Sequence, residues 1–151
     1  MYLAGKARRD DPITRRLVFL GKELSRQFED LLAEHDCTIP TWAVLRHASQ
    51  HPDLSQVQLA GQIGIEGPTL TRHLDKLCAE GLVSRRRDDA DRRIIRISLT
   101  PRGLRRWREL HGVVEALDAR FTALLTPKQL AALDDVLCSI THAMEDAHVV
   151  A

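Results

Sequence analysis

The sequence predicts a mainly α fold with a small β-wing: a winged helix-turn-helix region carrying further helices at both chain ends. Three observations support this. Two short helical patterns meet at a tight turn between Leu54 and Glu80. An arginine-rich stretch that alternates like a hairpin follows at once, from Leu82 to Leu99. Apolar stripes at three- and four-residue spacing flank that region on both sides.

The chain of 151 residues has the length of one domain or of a compact unit with an extension. Aromatic residues make up only 4%, so the core is expected to be mainly Leu, Ile, Val and Ala. No apolar run approaches the roughly 18 residues that span a bilayer, so no membrane partner is expected. The opening MYLAGKARRDD lacks the apolar centre of a secretory signal. Cys37, Cys78 and Cys138 are odd in number, far apart and without CxxC spacing. That pattern fits a reducing cytoplasm better than a disulfide framework. No cofactor motif is found.

The net charge of +1 hides an uneven distribution. Residues 1–53 are neutral, residues 54–105 carry +4 and residues 106–151 carry −3. A nucleic-acid binder needs a local basic surface and not a basic total. The excess falls on the helix-turn-helix and the hairpin.

Residues 1–10 read as a mobile arm, with Arg8 and Arg9 as possible phosphate contacts. Asp11-Pro12 is an N-cap and first-turn signal. The helix behind it carries Ile13, Leu17, Leu20, Leu24, Phe28 and Leu31 on one face and should run to about Glu34. Pro40 opens a second helix with Trp42 and Leu45 inward, and His51-Pro52 stops it. Ser55 with Gln58 reads as a capping box. Val57, Leu59, Ala60 and Ile63 are expected on the buried side of that short helix, with Gly64 at its C-terminal turn.

The next helix opens at Gly67-Pro68 and ends at Gly81. Leu70, Leu74, Leu77 and Cys78 are expected inside, leaving Thr69, Thr71, Arg72, Asp75 and Lys76 outward or lateral. Leu82–Arg87 and Arg93–Leu99 then alternate like strands around the polar turn DDAD. Thr100-Pro101 caps a long helix, with Leu110, Val114, Leu117, Phe121 and Leu124 in line. Thr126-Pro127-Lys128-Gln129 is a second capping box, followed by Leu130, Leu133, Leu137, Ile140 and Met144 at a/d spacing. Three amphipathic helices exceed what so small a core needs. The segments 11–36 and 101–147 are therefore read as dimerisation helices around a DNA-binding region at 38–99, with an intramolecular bundle as the competing reading.

These residues resemble the MarR family of winged helix-turn-helix regulators, and within it the SlyA-like branch. The resemblance runs from about Ile13 to Met144. Its most specific parts are LSQVQLAGQIGIEGPTLTRHLDKLCAEGLVSR, then DADRR, then ISLTPRG, in that order and at these spacings. It implies a homodimeric transcription regulator that reads a pseudo-palindromic operator in double-stranded DNA.

The residues themselves fit that use. The early positions Pro68, Thr69, Thr71 and Arg72 are those a reading helix would push into the major groove. Thr can bond a base or pack on a thymine methyl, and Arg can grip guanine bidentately. Plain helix capping for Thr69 and a solvated side chain for Arg72 are the competing readings. Ser55 and Gln56, opening the preceding helix, are counted with the DNA-contacting set, as are Arg85, Asp91, Arg92 and Arg93 at the hairpin. The resemblance implies that Arg92 enters the minor groove and that Asp91 pairs with and orients a wing arginine.

It also implies a pocket for a small aromatic or phenolic carboxylate whose binding releases DNA. The matching positions are Phe19, Lys22, Pro40, Trp42 and Arg46, with Arg72 nearby. Trp42 offers an apolar wall and Lys22 or Arg46 a cation, although Trp42 reads equally well as core. Pro40 and Arg46 stand where the SlyA-like pattern has Thr and His. A thiol-based redox sensor of the same fold is an alternative, for which only Cys37 has an expected exposed position. A helical adaptor that binds only proteins is another, but it has no need of the wing arginines. No nucleophile motif, phosphate loop or metal-ligand spacing supports an enzyme.

Overall fold

The computed structural model describes residues 8–149, the side chains of the last five of these excepted. Residues 1–7 of the expected arm lie outside the described residues. The elements in order are α1 (Ile13–Ala33), α2 (Ile39–Gln50), β1 (Leu54–Ser55), α3 (Gln56–Ile63), α4 (Gly67–Ala79), β2 (Val83–Arg87), β3 (Ile95–Leu99), α5 (Pro101–Thr122) and α6 (Pro127–Val149). None of these helices is long and apolar enough to cross a membrane. The chain divides into two compact units, ending and starting at Leu110 and His111, inside α5.

The first unit is built around fully buried Leu32, Val44, Leu45, Leu59, Leu70, Leu74, Leu77, Ile97 and Leu110. Each such side chain contributes about 1.5–3 kcal/mol when removed from water. Local chemistry sets most helix ends. Thr38 caps α2 by accepting the Thr41 N–H. Ser55 accepts the Gln58 N–H at 3.1 Å, while Gln58 Oε1 accepts the Ser55 N–H at 3.0 Å, closing the expected capping box. Gly64 turns the chain at φ 74°, a left-handed conformation that costs glycine little.

Three local expectations need correction. Asp11 does not cap α1: its carboxylate accepts the Arg8 N–H at 2.7 Å, and Pro12 occupies the cap position. Val57 is 83% exposed, not buried; Leu59 is the residue of α3 that the core takes. Ser55 and Leu54 also form a short strand beside β3, giving an antiparallel sheet of order β1-β3-β2. In the hairpin Val83 pairs with Leu99 and Arg87 with Ile95.

The turn from α4 into β2 is a Schellman closure: Leu82 N–H donates to Leu77 O at 2.9 Å and Gly81 N–H to Cys78 O at 3.0 Å. The start of α5 is bolted onto that turn. Thr100 N–H donates to Leu82 O at 3.0 Å, its hydroxyl donates to Gly81 O at 2.6 Å, and the same hydroxyl accepts the Gly103 N–H. Gly103 lies so close that a Cβ there would sit 1.9 Å from Leu82 O.

The second unit, from His111, holds the end of α5 and α6. Thr126 and Gln129 form the expected capping box, with Thr126 N–H to Gln129 Oε1 at 2.9 Å and Gln129 N–H to Thr126 Oγ1 at 3.3 Å. Leu130, Leu133, Val136, Leu137 and Met144 are exposed along α6. On α1 of the first unit, Ile13, Leu17, Val18, Leu20 and Leu24 are exposed too.

Gly103→Ala should destabilise the first unit by about 3 kcal/mol or more, since backbone must move to admit the methyl group. Urea denaturation followed by circular dichroism measures this. An unchanged midpoint would mean that the Leu82 turn yields freely.

Candidate nucleic-acid interface

Helix α4 is anchored by Leu70, Leu74 and Leu77, all buried. That anchoring leaves Pro68, Thr69, Thr71 and Arg72 exposed along its other side. Thr69 does not cap the helix: the N-cap is Glu66, which makes no side-chain cap bond. Pro68, Thr69, Arg72 and His73 line a shallow cleft of about 320 Å³. The sequence reading missed His73, which lies four residues past Thr69 and so on the same helical row.

The face is held from both sides. Gln56 Nε2 donates to Thr71 Oγ1 at 2.8 Å, tying the start of α3 to α4, and the Thr71 hydroxyl donates back to Gly67 O at 3.0 Å. Arg85 on β2 forms an ion pair with Asp75 and donates to Thr71 O at 3.0 Å. Arg85, expected among the DNA contacts, is thus engaged as a clamp between wing and helix. With Asp75 largely exposed, the pair itself is worth at most about 1 kcal/mol, but its geometry fixes where β2 leaves α4. Ser55, also expected at the DNA, is buried and occupied in its capping box.

The wing is organised by Asp88, not Asp91. One Asp88 oxygen accepts the N–H groups of Ala90 and Asp91 at 2.9 and 3.1 Å; the other accepts Arg96 Nε at 2.7 Å. Asp91, expected to pair with an arginine side chain, instead accepts the backbone N–H of Arg93 at 2.9 Å. Arg96 also donates to Asp53 O at 3.1 Å, and Ser98 Oγ donates to Asp53 Oδ1 at 2.7 Å. The wing root is thereby fastened to the turn before β1, and Arg92 and Arg93 are presented exposed at the tip.

The backbone N–H groups of Asp91 and Ala90 and the Arg96 guanidinium hold the Asp88 carboxyl down at about 2.

The residues expected around an effector fall into two groups. Trp42 packs edge-on to Phe28 at 5.0 Å between ring centres and lies 6.4 Å from Trp107, with Arg46 5.3 Å above its ring. Its indole Nε1 is buried without a hydrogen-bond partner. Pro40 sits in the first turn of α2; Phe19 is half-buried and Lys22 exposed on α1. Arg72 lines the cleft on α4 with Pro68, Thr69 and His73. His47, beside Arg46, is pushed below the usual imidazole value by burial and by the Arg46 charge.

Cys37 was expected to be exposed and is only 6% so. Burial pushes its thiol up, against the opposing pull of Arg106, so it lacks the thiolate character of a reactive cysteine. Cys78 is half-buried and Cys138 exposed.

Comparison with known proteins agrees with this architecture. The MarR family profile matches residues 37–95, from the loop after α1 to the first residue of β3. CouR, a transcriptional repressor solved on a 23-mer DNA duplex, is 26% identical over 86% of this chain and 92% of its own, with a TM-score of 0.78. The PcaV transcriptional regulator from Streptomyces coelicolor, solved with its natural ligand, is 24% identical over 91% of this chain and 99% of its own, at 0.74. S. aureus MepR in complex with DNA is 18% identical over 89% and 99%, at 0.79.

The Asp88 carboxyl should titrate near 2 by carbon NMR, well below the ordinary 3.8. Because its folded value is depressed, its contribution to wing stability is complete above the unfolded value and is lost as pH falls from about 4 towards 2. Asp88→Asn should abolish that pH dependence; a midpoint near 3.8 would contradict the hub role.

Proposed function

Because this chain belongs to the MarR family of winged-helix, DNA-binding transcription regulators, we propose that it acts as a homodimer on a pseudo-palindromic operator. It is a regulator and not an enzyme. The observation that carries the finer reading is the shared placement of two groups in one compact unit. Pro68, Thr69 and Arg72 are exposed on α4, and Arg92 and Arg93 at the wing tip. The first group suits a major groove, and Arg92 of the second an adjacent minor groove, where A·T-rich narrowing strengthens the field felt by an inserted arginine.

A dimer follows from the apolar faces. The exposed leucines of α1 and those of α6 have spacing that suits helix packing, and a second copy is what covers them. The two reading helices then meet half-sites about one helical turn apart, roughly 34–36 Å. The protein's proposed location is the cytoplasm, a reading supported by three free cysteines.

The effector is a small aromatic or phenolic carboxylate. PcaV is a relative of similar fold with a bound natural ligand. Here Trp42 supplies an aromatic wall and an unpartnered indole N–H, and Arg46 a cation beside it. Binding shifts the population of winged-domain separations and does not plug the reading helix.

Arg92→Ala should weaken operator binding by about tenfold or more while leaving the dimer intact. Fluorescence anisotropy at physiological salt, with light scattering for the dimer, measures both; unchanged affinity would remove Arg92 from the interface. Salicylate-like acids should quench Trp fluorescence and release operator DNA, and Trp42→Ala should abolish the release. A panel that changes neither signal would exclude the aromatic effector.

A further inference from the structure

Between the start of α3 and the wing lies a slot of about 370 Å³, lined by Ser55, Gln56, Val57, Arg93, Ile94 and Ile95. Its walls are mainly apolar, which is unusual beside an arginine tip. Val57 is 83% exposed and Ile95 38% exposed. Neither is needed by the core: Leu59 and Ile97, two positions further along each element, fill it. An exposed valine beside an exposed isoleucine calls for an occupant.

The slot is continuous with the reading face. Gln56, on one wall, is the residue hydrogen-bonded to Thr71 of α4. Arg93, on the other, belongs to the wing tip and has its backbone fixed by Asp91. In a duplex, adjacent major and minor grooves are separated by one sugar-phosphate strand. A protein that puts a helix in one groove and a wing in the next must face that strand with whatever lies between. Deoxyribose offers a C–H surface and its phosphate a negative charge, which match the Val57–Ile95 wall and the Arg93 guanidinium.

We propose that this slot seats one deoxyribose-phosphate unit of the operator strand, with Val57 and Ile95 packed on the sugar and Arg93 on its phosphate. The assignment rests on the DNA-binding reading above and adds a sequence-independent positioning contact to it. The apolar wall supplies affinity that salt does not screen, whereas Arg93 supplies the screened part.

The test uses the full chain and a duplex operator, obtained by selection from random sequence, with a scrambled duplex beside it. Val57→Ala should weaken both duplexes alike, by about fivefold, with the salt slope unchanged. Val57→Asp should weaken both by about thirtyfold or more through repulsion of phosphate. Arg93→Ala should lower the log–log salt slope by about one. Thermal midpoints of both Val57 variants should match the parent, because the side chain is exposed. Unchanged affinity in Val57→Asp would overturn the assignment, as would a loss confined to the selected operator. Arg72→Ala separates the two levels. If it abolishes selective binding while Val57→Asp changes nothing, the slot assignment alone fails; if it too changes nothing, the reading-helix assignment fails with it.

Discussion

Thr100 and Gly103 hold the winged unit together through one close backbone approach. The Leu82 carbonyl receives the Thr100 N–H at 3.0 Å, and no Cβ fits between it and Gly103. Three things meet there: the end of α4, the first strand of the hairpin and the start of α5. Because the contact is backbone on backbone, it has little compliance. The start of α5 is therefore held directly against the turn between α4 and β2 by main-chain atoms.

The same economy governs the surface that would meet DNA. Several polar side chains there face inward to fix geometry, and fewer are left free. Gln56 and Arg85 hold α4 through Thr71 and Asp75, while Asp88 and Arg96 hold the wing and join it to Asp53. Each bond is modest alone, about 0.5–1.5 kcal/mol net. Together they leave the Arg92 and Arg93 side chains exposed on a backbone whose position is already set, which reduces the ordering cost of binding.

Apolar exposure is the other recurring feature. The leucines of α1 and of α6 are too many and too regular to be incidental, and they account for why residues outside the winged region outnumber what its core requires. Val57 and Ile95 are a smaller case of the same kind, placed beside charge instead of along a seam. In both places the folded chain leaves apolar surface that its own packing does not cover.

The sequence by itself determined the helices, their ends and the order helix-turn-helix, wing, long helix. These follow from bonds between residues at most five apart: the Ser55–Gln58 and Thr126–Gln129 boxes, the left-handed Gly64 and Gly81, the periodic leucines. Motif order singled out Thr69, Arg72 and the Asp-Arg-Arg tip, and the fold leaves these side chains exposed. Only the tertiary structure decided which polar side chains were already spent. Arg85 finds Asp75 ten positions away, Arg96 finds Asp53 forty-three away, and Gln56 finds Thr71 fifteen away. No local pattern records such pairings, because they depend on how separate elements dock. For the same reason Cys37 reads as loop in the sequence and is buried in the fold, Val57 reads as core and stands exposed, and it is Asp88 that pairs with a wing arginine, Arg96, where the resemblance had implied Asp91.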